Sequence, residues 1–250
     1  MELDLWFFAL AVPATIFAAV SKSGFGSGAA FAAASLMALV IPPGLALGIM
    51  LPLLMLVDAA SLRSYWGKWS LREGLLVILG SLPGVALGAM LYKFANADML
   101  RILIGVISLA FVAWQVLRAR GWFQFDGAAL GKPAGLIAGL TAGFTSFVSH
   151  AGGPPVAIYL LARGMDKTTY QATTILAFWM INIFKAVPYT FLGIFTLETL
   201  MIDLILAPFA LFGTWLGIKA HHLVPEKVFF ALTYALLVAT GLKLIYDALV

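Results

Sequence analysis

The residues of this sequence best suited to chemistry are charged side chains inside long hydrophobic runs. Lys22 lies within a hydrophobic segment over residues 5–40, and Lys185 lies within another over residues 169–191. Intramembrane charges are costly and are functional candidates by default. We therefore expect both lysines to neutralise a bound anion, although Lys185 could instead extend to the membrane surface near the end of its helix.

Two hydrophobic segments are interrupted by residues that break helices. The candidate binding residues are Ser23, Gly24, Gly26, Ser27 and Gly28 in the first interruption and Ser149, His150, Gly152 and Gly153 in the second. A helix that starts at such a break presents unpaired N–H groups and the positive end of its dipole, which favours an oxyanion. Glycine lets a ligand approach the backbone, and serine can donate hydrogen bonds. The alternative is that both breaks are only packing kinks.

Three further polar residues could support such a site. Asn182 precedes Lys185 by one helical turn and shares a face with it. Asp58 could carry a proton or pair with a buried lysine, or it could form an ion pair at the membrane rim. His150 could bind the anion when protonated, because imidazole titrates near physiological pH, or it could cap a helix. Asp58 and His150 are therefore candidates for coupling transport to protons.

Other kinds of site have little support. The chain has no cysteine, and its carboxylates and imidazoles show no metal-ligand spacing, so we expect neither a metal nor a cofactor. The net charge of +4 comes from basic residues between hydrophobic runs, where membrane anchors lie. This distribution gives no reason to expect nucleic-acid binding.

The elements that must position these residues are membrane helices. Of the 250 residues, 63% are hydrophobic and only 10% are charged, whereas soluble domains have about 25% charged residues. This composition predicts an all-α polytopic membrane protein surrounded by lipid and excludes a sizeable soluble domain. The predicted hydrophobic segments are 5–40, 44–62, 74–93, 102–118, 133–162, 169–191, 198–218 and 228–246.

The segment pattern repeats after about half the chain. The two longest segments, 5–40 and 133–162, are the two that carry a break. At about 1.5 Å per residue the first would be far longer than the roughly 30 Å hydrocarbon core if it crossed only once. We therefore predict two repeats, residues 1–120 and 121–250, each with a broken re-entrant-like hairpin followed by three transmembrane helices.

The distribution of basic residues favours hairpins over single crossings. If both broken segments return to the face they entered, ten basic loop residues share one face and three lie on the other. If both cross, the division is seven against six. The positive-inside rule prefers the first arrangement. Three crossings in each half make the repeats inverted copies, the arrangement of many secondary transporters with a site at the midplane.

The run from His150 to Pro154, the glycine- and serine-rich first break and the layout of the two halves resemble the TauE/SafE sulfite exporter family over about residues 10–248. The first break differs from the tighter glycine run of many members, because it carries Lys22 and spaced glycines. The resemblance implies a transporter of a small sulfur oxyanion or organosulfonate, usually outward, in a bacterial inner membrane. The residues themselves support only an anion bound at the midplane of an inverted repeat.

Two other functions remain open at this stage. An anion channel could use the same cradle without coupling. An intramembrane serine hydrolase could pair Ser27 with His150, since a nucleophile needs a base within hydrogen-bond reach. Ser27 lacks the surroundings of a nucleophile turn, and no carboxylate is expected to orient His150, so the hydrolase is the weaker alternative.

Overall fold

The computed structural model describes residues 5–25, 30–122, 131–220 and 226–250, and these residues form helices without strands. The helices are α1 (Leu5–Gly24), α2 (Phe31–Met37), α3 (Pro43–Tyr65), α4 (Leu71–Phe94), α5 (Ala97–Ala119), α6 (Lys132–Ser149), α7 (Gly153–Ala162), α8 (Lys167–Phe191), α9 (Leu197–Ala220) and α10 (Glu226–Leu249).

Seven of the described helices are long and apolar enough to cross a membrane, judged by length and composition. They are α1, α3, α4, α5, α8, α9 and the part of α10 from Phe230 to Leu249. The shortest of these spans has 20 residues, about 30 Å of helix, which matches the hydrocarbon core. The prediction of an all-α polytopic membrane protein is confirmed.

Both breaks interrupt helices near the predicted positions. The first broken segment contains α1 and α2, and α2 has only 7 residues. The second contains α6 and the 10-residue α7, separated by His150 in a left-handed conformation with φ 57°. Pro154 and Pro155 lie in the first turn of α7, where a missing N–H costs no helical hydrogen bond. Since about 20 residues are needed to cross, neither α2 nor α7 can span a bilayer alone.

The first arm of the first broken segment packs in parallel against a helix from the other half of the chain. A methyl group on Gly213 of α9 would lie 2.8 Å from the Ile16 carbonyl oxygen of α1, and one on Gly217 would lie 2.7 Å from the Val20 carbonyl oxygen. Both contacts advance by four residues along each helix, so α1 and α9 run in the same direction. Only glycine permits backbones to come this close.

The first arm of the second broken segment is packed in the same way. A methyl group on Gly80 of α4 would lie 2.2 Å from the Leu136 carbonyl oxygen of α6, and one on Gly84 would lie 2.1 Å from that of Leu140. Helices α4 and α6 are therefore also parallel and in close contact. We name these two contacts the α1–α9 seam and the α4–α6 seam.

Each broken segment begins and ends at the same end of the bundle. Gly48, near the start of α3, packs against the carbonyl of Ile194, just before α9, and α9 starts beside α1. At the other end, Arg118 at the end of α5 and Lys167 at the start of α8 line one cavity. The chain therefore enters and leaves α1–α2 at one end, and α6–α7 at the opposite end.

Candidate functional site

The buried polar side chains of the bundle gather beside the two breaks. Lys22 comes from the last turn of α1, Asp58 from α3, Asn182 and Lys185 from α8, and His150 from the break between α6 and α7. Lys185 and Asp58 are 0% exposed, and Lys22 is 2% exposed. The structure therefore places five of the residues proposed from sequence in one cluster, which we call the lysine cluster.

Lys22 is paired with the only carboxylate of this cluster among the described residues. Its Nζ lies 3.0 Å from Oδ1 of Asp58, and the Asn182 amide donates to Oδ2 of the same carboxylate at 3.0 Å. The Lys22 ammonium also lies 4.9 Å from the centroid of the Phe178 ring, a cation–π distance. Asp58 thus lies in the core beside a buried lysine and not at the membrane rim.

Lys185 is held by neutral groups. Its Nζ donates to Ser146 Oγ at 3.1 Å and to the Asn182 side-chain oxygen at 3.5 Å, and it lies 2.8 Å from Nδ1 of His150. The Tyr189 ring centroid lies 5.7 Å away. Lys185 therefore does not extend to the membrane surface. Its neighbours supply hydrogen-bond acceptors, and in the part of the chain that the structure describes no carboxylate is paired directly with it.

The contacts of His150 define the hydrogen position on its ring. Nε2 lies 3.2 Å from the carbonyl oxygen of Leu47, and a carbonyl can only accept, so Nε2 carries the hydrogen. Nδ1 is then free to accept from the Lys185 ammonium. With Lys185 as a charged ammonium, which can only donate, the imidazole is neutral, and a proton added to Nδ1 would have to displace Lys185.

With both lysines charged, the cluster carries a net positive charge. Two lysines face one carboxylate, and the geometry assigns the imidazole as neutral. An uncompensated charge in a membrane interior is costly unless a counter-charge joins it. A small anion bound beside Lys185 would supply that counter-charge.

The other predicted site residues lie around this cluster with different contacts. Ser23 Oγ donates to the Ala19 carbonyl at 2.7 Å and lies 3.1 Å from that of Thr214, and Ser149 Oγ donates to the Thr145 carbonyl at 2.9 Å. Both hydroxyl hydrogens are therefore used within the helix packing, and neither serine is available as a ligand donor in this arrangement.

The glycines of the breaks serve close packing. A methyl group on Gly24 would lie 2.4 Å from the Gly217 carbonyl oxygen, and one on Gly152 would lie 2.7 Å from the Ala142 carbonyl oxygen and from the Phe178 ring. Gly153 is the first residue of α7. The N-cap residue of this helix is Gly152, which has no side chain that could cap it. The remaining predicted residues, Gly26, Ser27 and Gly28, lie outside the described residues.

Sequence reasoning missed several residues that position the lysines. Ser146 holds Lys185, Gln171 Nε2 donates to the Lys22 carbonyl at 2.8 Å, and the Tyr65 hydroxyl donates to the Ser23 carbonyl at 3.1 Å. The last two contacts fix the carbonyl end of α1, which an interrupted helix leaves unpaired. The one available signal was that Gln171 is a polar residue at the start of a hydrophobic segment.

The fold and the site together define a multi-pass membrane protein whose core holds a positively charged cluster between two broken helices. The family model described as Sulfite exporter TauE/SafE matches residues 11–244. The chain therefore belongs to the TauE/SafE sulfite exporter family of membrane transporters, and the resemblance stated from the sequence is confirmed. No curated protein and no solved structure matches the chain.

Proposed function

We propose that this protein is a secondary active transporter that carries sulfite or an organosulfonate outward across a bacterial inner membrane. The observation that carries the proposal is the buried Lys185, whose hydrogen-bond partners among the described residues are all neutral groups. A tetrahedral or pyramidal oxyanion offers several acceptor oxygens to such a donor. The family match supports a sulfur oxyanion as the substrate class.

The roles of the residues follow from their positions. Lys185 and Lys22 neutralise the anion. Asn182 contacts both Asp58 and Lys185 and so orients these two side chains relative to each other. Asp58 keeps Lys22 charged and in place when no anion is bound. Binding would be reversible, because the anion competes with existing partners of the lysines and does not fill an empty charged cavity.

His150 is our candidate for coupling to protons. In the arrangement described, its Nδ1 accepts from Lys185, so protonation and that contact exclude each other. A protonated ring would release the Lys185 ammonium and add a second donor beside it. Proton binding and anion binding would then be coupled through the Lys185 ammonium.

The two seams support an inverted repeat as the moving architecture. Helix α1 of the first half packs against α9 of the second half, and α6 of the second half packs against α4 of the first. Exchanging the two halves therefore gives the same pair of contacts. We propose that access alternates as these paired units tilt around the lysine cluster. An uncoupled channel would use the same donors, and measuring whether a proton gradient drives accumulation separates the two.

The serine hydrolase has no geometric support in the described residues. Ser27 lies outside them, and both nitrogens of His150 are within hydrogen-bond distance of Lys185 and Leu47. A base engaged on both sides is poorly placed to take a proton from a serine.

Thermal stabilisation of the detergent-purified protein by anions tests the proposal. The panel is sulfite, thiosulfate, sulfate, sulfoacetate, acetate and phosphate. A ligand at 100 times its Kd should stabilise the folded state by about 2.7 kcal/mol. We expect sulfite or sulfoacetate to give a selective shift that Lys185→Gln removes.

The matched control is Lys243→Gln, because Lys243 is an exposed lysine paired with Asp247 in α10. This variant should keep the full shift. Each variant is first checked for a cooperative unfolding transition without anion, and Lys185→Arg serves if Lys185→Gln does not fold. The proposal is overturned if no anion shifts the wild type, or if a folded Lys185→Gln responds as the wild type does.

A further inference from the structure

Three carboxyl side chains are buried in the part of the chain that the structure describes: Asp58, Glu73 and Asp203. Asp58 and Glu73 each accept hydrogen bonds and lie beside a basic side chain. Asp203, in α9, is 7% exposed, and neither of its carboxyl oxygens has a hydrogen-bond partner among the described residues. Since buried polar groups are nearly always hydrogen-bonded, this carboxyl requires an explanation.

The surroundings of Asp203 are apolar. It lies on the buried face of α9, the face that also carries the seam glycines Gly213 and Gly217. Its neighbours on that face, Ile202 and Leu206, belong to a buried hydrophobic cluster formed with residues of α1 and α3. These two helices are also the ones that pack most closely against α9. A charge at this position would therefore lie in the hydrocarbon core of the protein, where an unpaired ion is costly.

The other titratable groups of these three helices lie elsewhere. Within the described residues of α1, α3 and α9 they are Lys22, Asp58, Arg63, Tyr65, Glu198 and Lys219. Glu198 is exposed, and the other five lie at the level of the lysine cluster or beyond it. Asp203 precedes Gly217 by 14 residues, about 21 Å of helix, and Gly217 faces Val20, two residues before Lys22. Glu2 and Asp4, which precede α1, lie outside the described residues.

We propose that Asp203 is a proton-binding site, which holds its proton in the closed packing of the bundle and exchanges it with water when α9 moves away from α1. A neutral carboxylic acid avoids the cost of an unpaired carboxylate in this apolar region. On ionisation the proton passes to water, and reprotonation takes one proton from water. Each round of opening and closing can therefore carry one proton. That the carried proton is coupled to an anion rests on the proposed function, whereas the protonation of Asp203 does not.

Infrared spectroscopy of the purified protein measures this protonation without transport. A protonated carboxyl has a C=O stretching band that is separate from the bands of a carboxylate, and subtracting the spectrum of Asp203→Asn from that of wild type isolates Asp203. Asparagine has the shape of the neutral acid, so this variant should fold, and Asp203→Val replaces it if it does not. The matched control is Asp247→Asn, because Asp247 forms an ion pair with Lys243 in α10.

We expect the protonated-carboxyl band of Asp203 at neutral pH, and we expect no such band in the difference spectrum of the control. In D2O the band should shift faster than the amide groups of the helices exchange, because a carried proton must reach water more readily than a helical N–H does. A difference spectrum without the band overturns the proposal. A band that stays unshifted for as long as the slowest amide groups also overturns it, since the proton would then be trapped.

Transport in proteoliposomes measures the coupling. One unit of pH difference drives about tenfold accumulation for each coupled proton, so Asp203→Asn should still exchange sulfite across the membrane but accumulate it roughly tenfold less than wild type. Asp247→Asn should accumulate as wild type does. Unchanged accumulation in Asp203→Asn, or accumulation driven by a Na⁺ gradient and not by pH, shows that Asp203 carries no coupled proton. If wild-type protein moves none of the tested anions, the proposed function fails, while the infrared bands still decide whether Asp203 holds an exchangeable proton.

Discussion

Nζ of Lys22 lies 3.0 Å from Oδ1 of Asp58, and this ion pair joins the last turn of α1 to α3 in the closed core of the bundle. A buried pair of this kind contributes little net stability, because desolvation offsets most of its attraction. Removing one partner is different, because it leaves the other charge buried and unpaired. The pair therefore fixes the positions of the Lys22 and Asp58 side chains more than it adds to the stability of the fold.

The first prediction concerns the two charges as a unit. Lys22→Met and Asp58→Leu should each destabilise the protein by about 3–5 kcal/mol, and the double variant should recover most of that loss. Thermal unfolding in detergent measures the stability of the wild type, the two single variants and the double variant. The double variant should fold and yet fail to respond to sulfite. Additive losses in the double variant would show that the pair does not act as a unit.

The second prediction concerns the α1–α9 seam. Gly217→Ala should destabilise the protein by about 1–3 kcal/mol, because the methyl group would meet Ser23 Oγ at 2.1 Å and the Val20 carbonyl at 2.7 Å. Gly74→Ala in α4 is the matched control, since its methyl would lie 3.5 Å from a Thr173 methyl group, an ordinary contact. The control should be neutral or gain up to about 1 kcal/mol from helix propensity. A seam variant as stable as the control would contradict the close packing.

The third prediction concerns the link between α4 and α7. The Tyr159 hydroxyl donates to the buried carboxylate of Glu73, and Arg163 lies 3.4 Å from the same group. Tyr159→Phe should cost about 1–3 kcal/mol, because a buried acceptor loses its donor. Tyr246→Phe, at an exposed ring in α10, should change the unfolding temperature little. Equal effects of the two variants would rule out a structural role for the hydroxyl.

The fourth prediction is a pH dependence. Asp166 caps α8, and hydrogen bonds from Thr169 hold the pKa of its carboxyl below the ordinary value of 3.8. A group with a lowered pKa in the folded state stabilises above its unfolded pKa, and this contribution is lost as the pH falls through the folded value. Asp166→Ala should therefore lower the unfolding temperature at pH 7, and the difference from wild type should shrink below pH 4. Asn does not titrate either, so the stability difference between wild type and Asp166→Asn should change with pH by the same amount, while the Asn cap keeps that variant more stable than Asp166→Ala at every pH.

Much of the architecture is local in origin and could therefore be predicted. The spans follow from runs of apolar residues, and the break around His150 follows from the adjacent glycines and prolines. The observed helices extend somewhat beyond most predicted segments, as α3 does from Pro43 to Tyr65, because helical hydrogen bonding continues past the apolar run into polar residues such as Arg63. Which helices form seams depends on contacts between distant residues, which one sequence does not reveal.

The site was predicted in part for a similar reason. A charge inside a hydrophobic run is costly, so the sequence alone identifies Lys22, Asp58 and Lys185 as candidates. It does not identify their neutral partners, since serine and glutamine occur in membrane helices for many reasons. Ser23 and Ser149 were expected to face a ligand, yet both donate to the carbonyl four residues earlier, a local bond that serine readily forms in helices.

The reciprocal seams have a consequence for how the chain can be assembled. Since α1 packs against α9 and α6 packs against α4, each half of the chain supplies a glycine-lined surface that is in close contact with the other half. A fragment ending before α6 would leave both of its seam faces bare and should not be stable alone. If the chain is divided between α5 and α6, the two fragments should instead form the native bundle when they are produced in the same membrane. Each fragment then provides the surface against which the other packs.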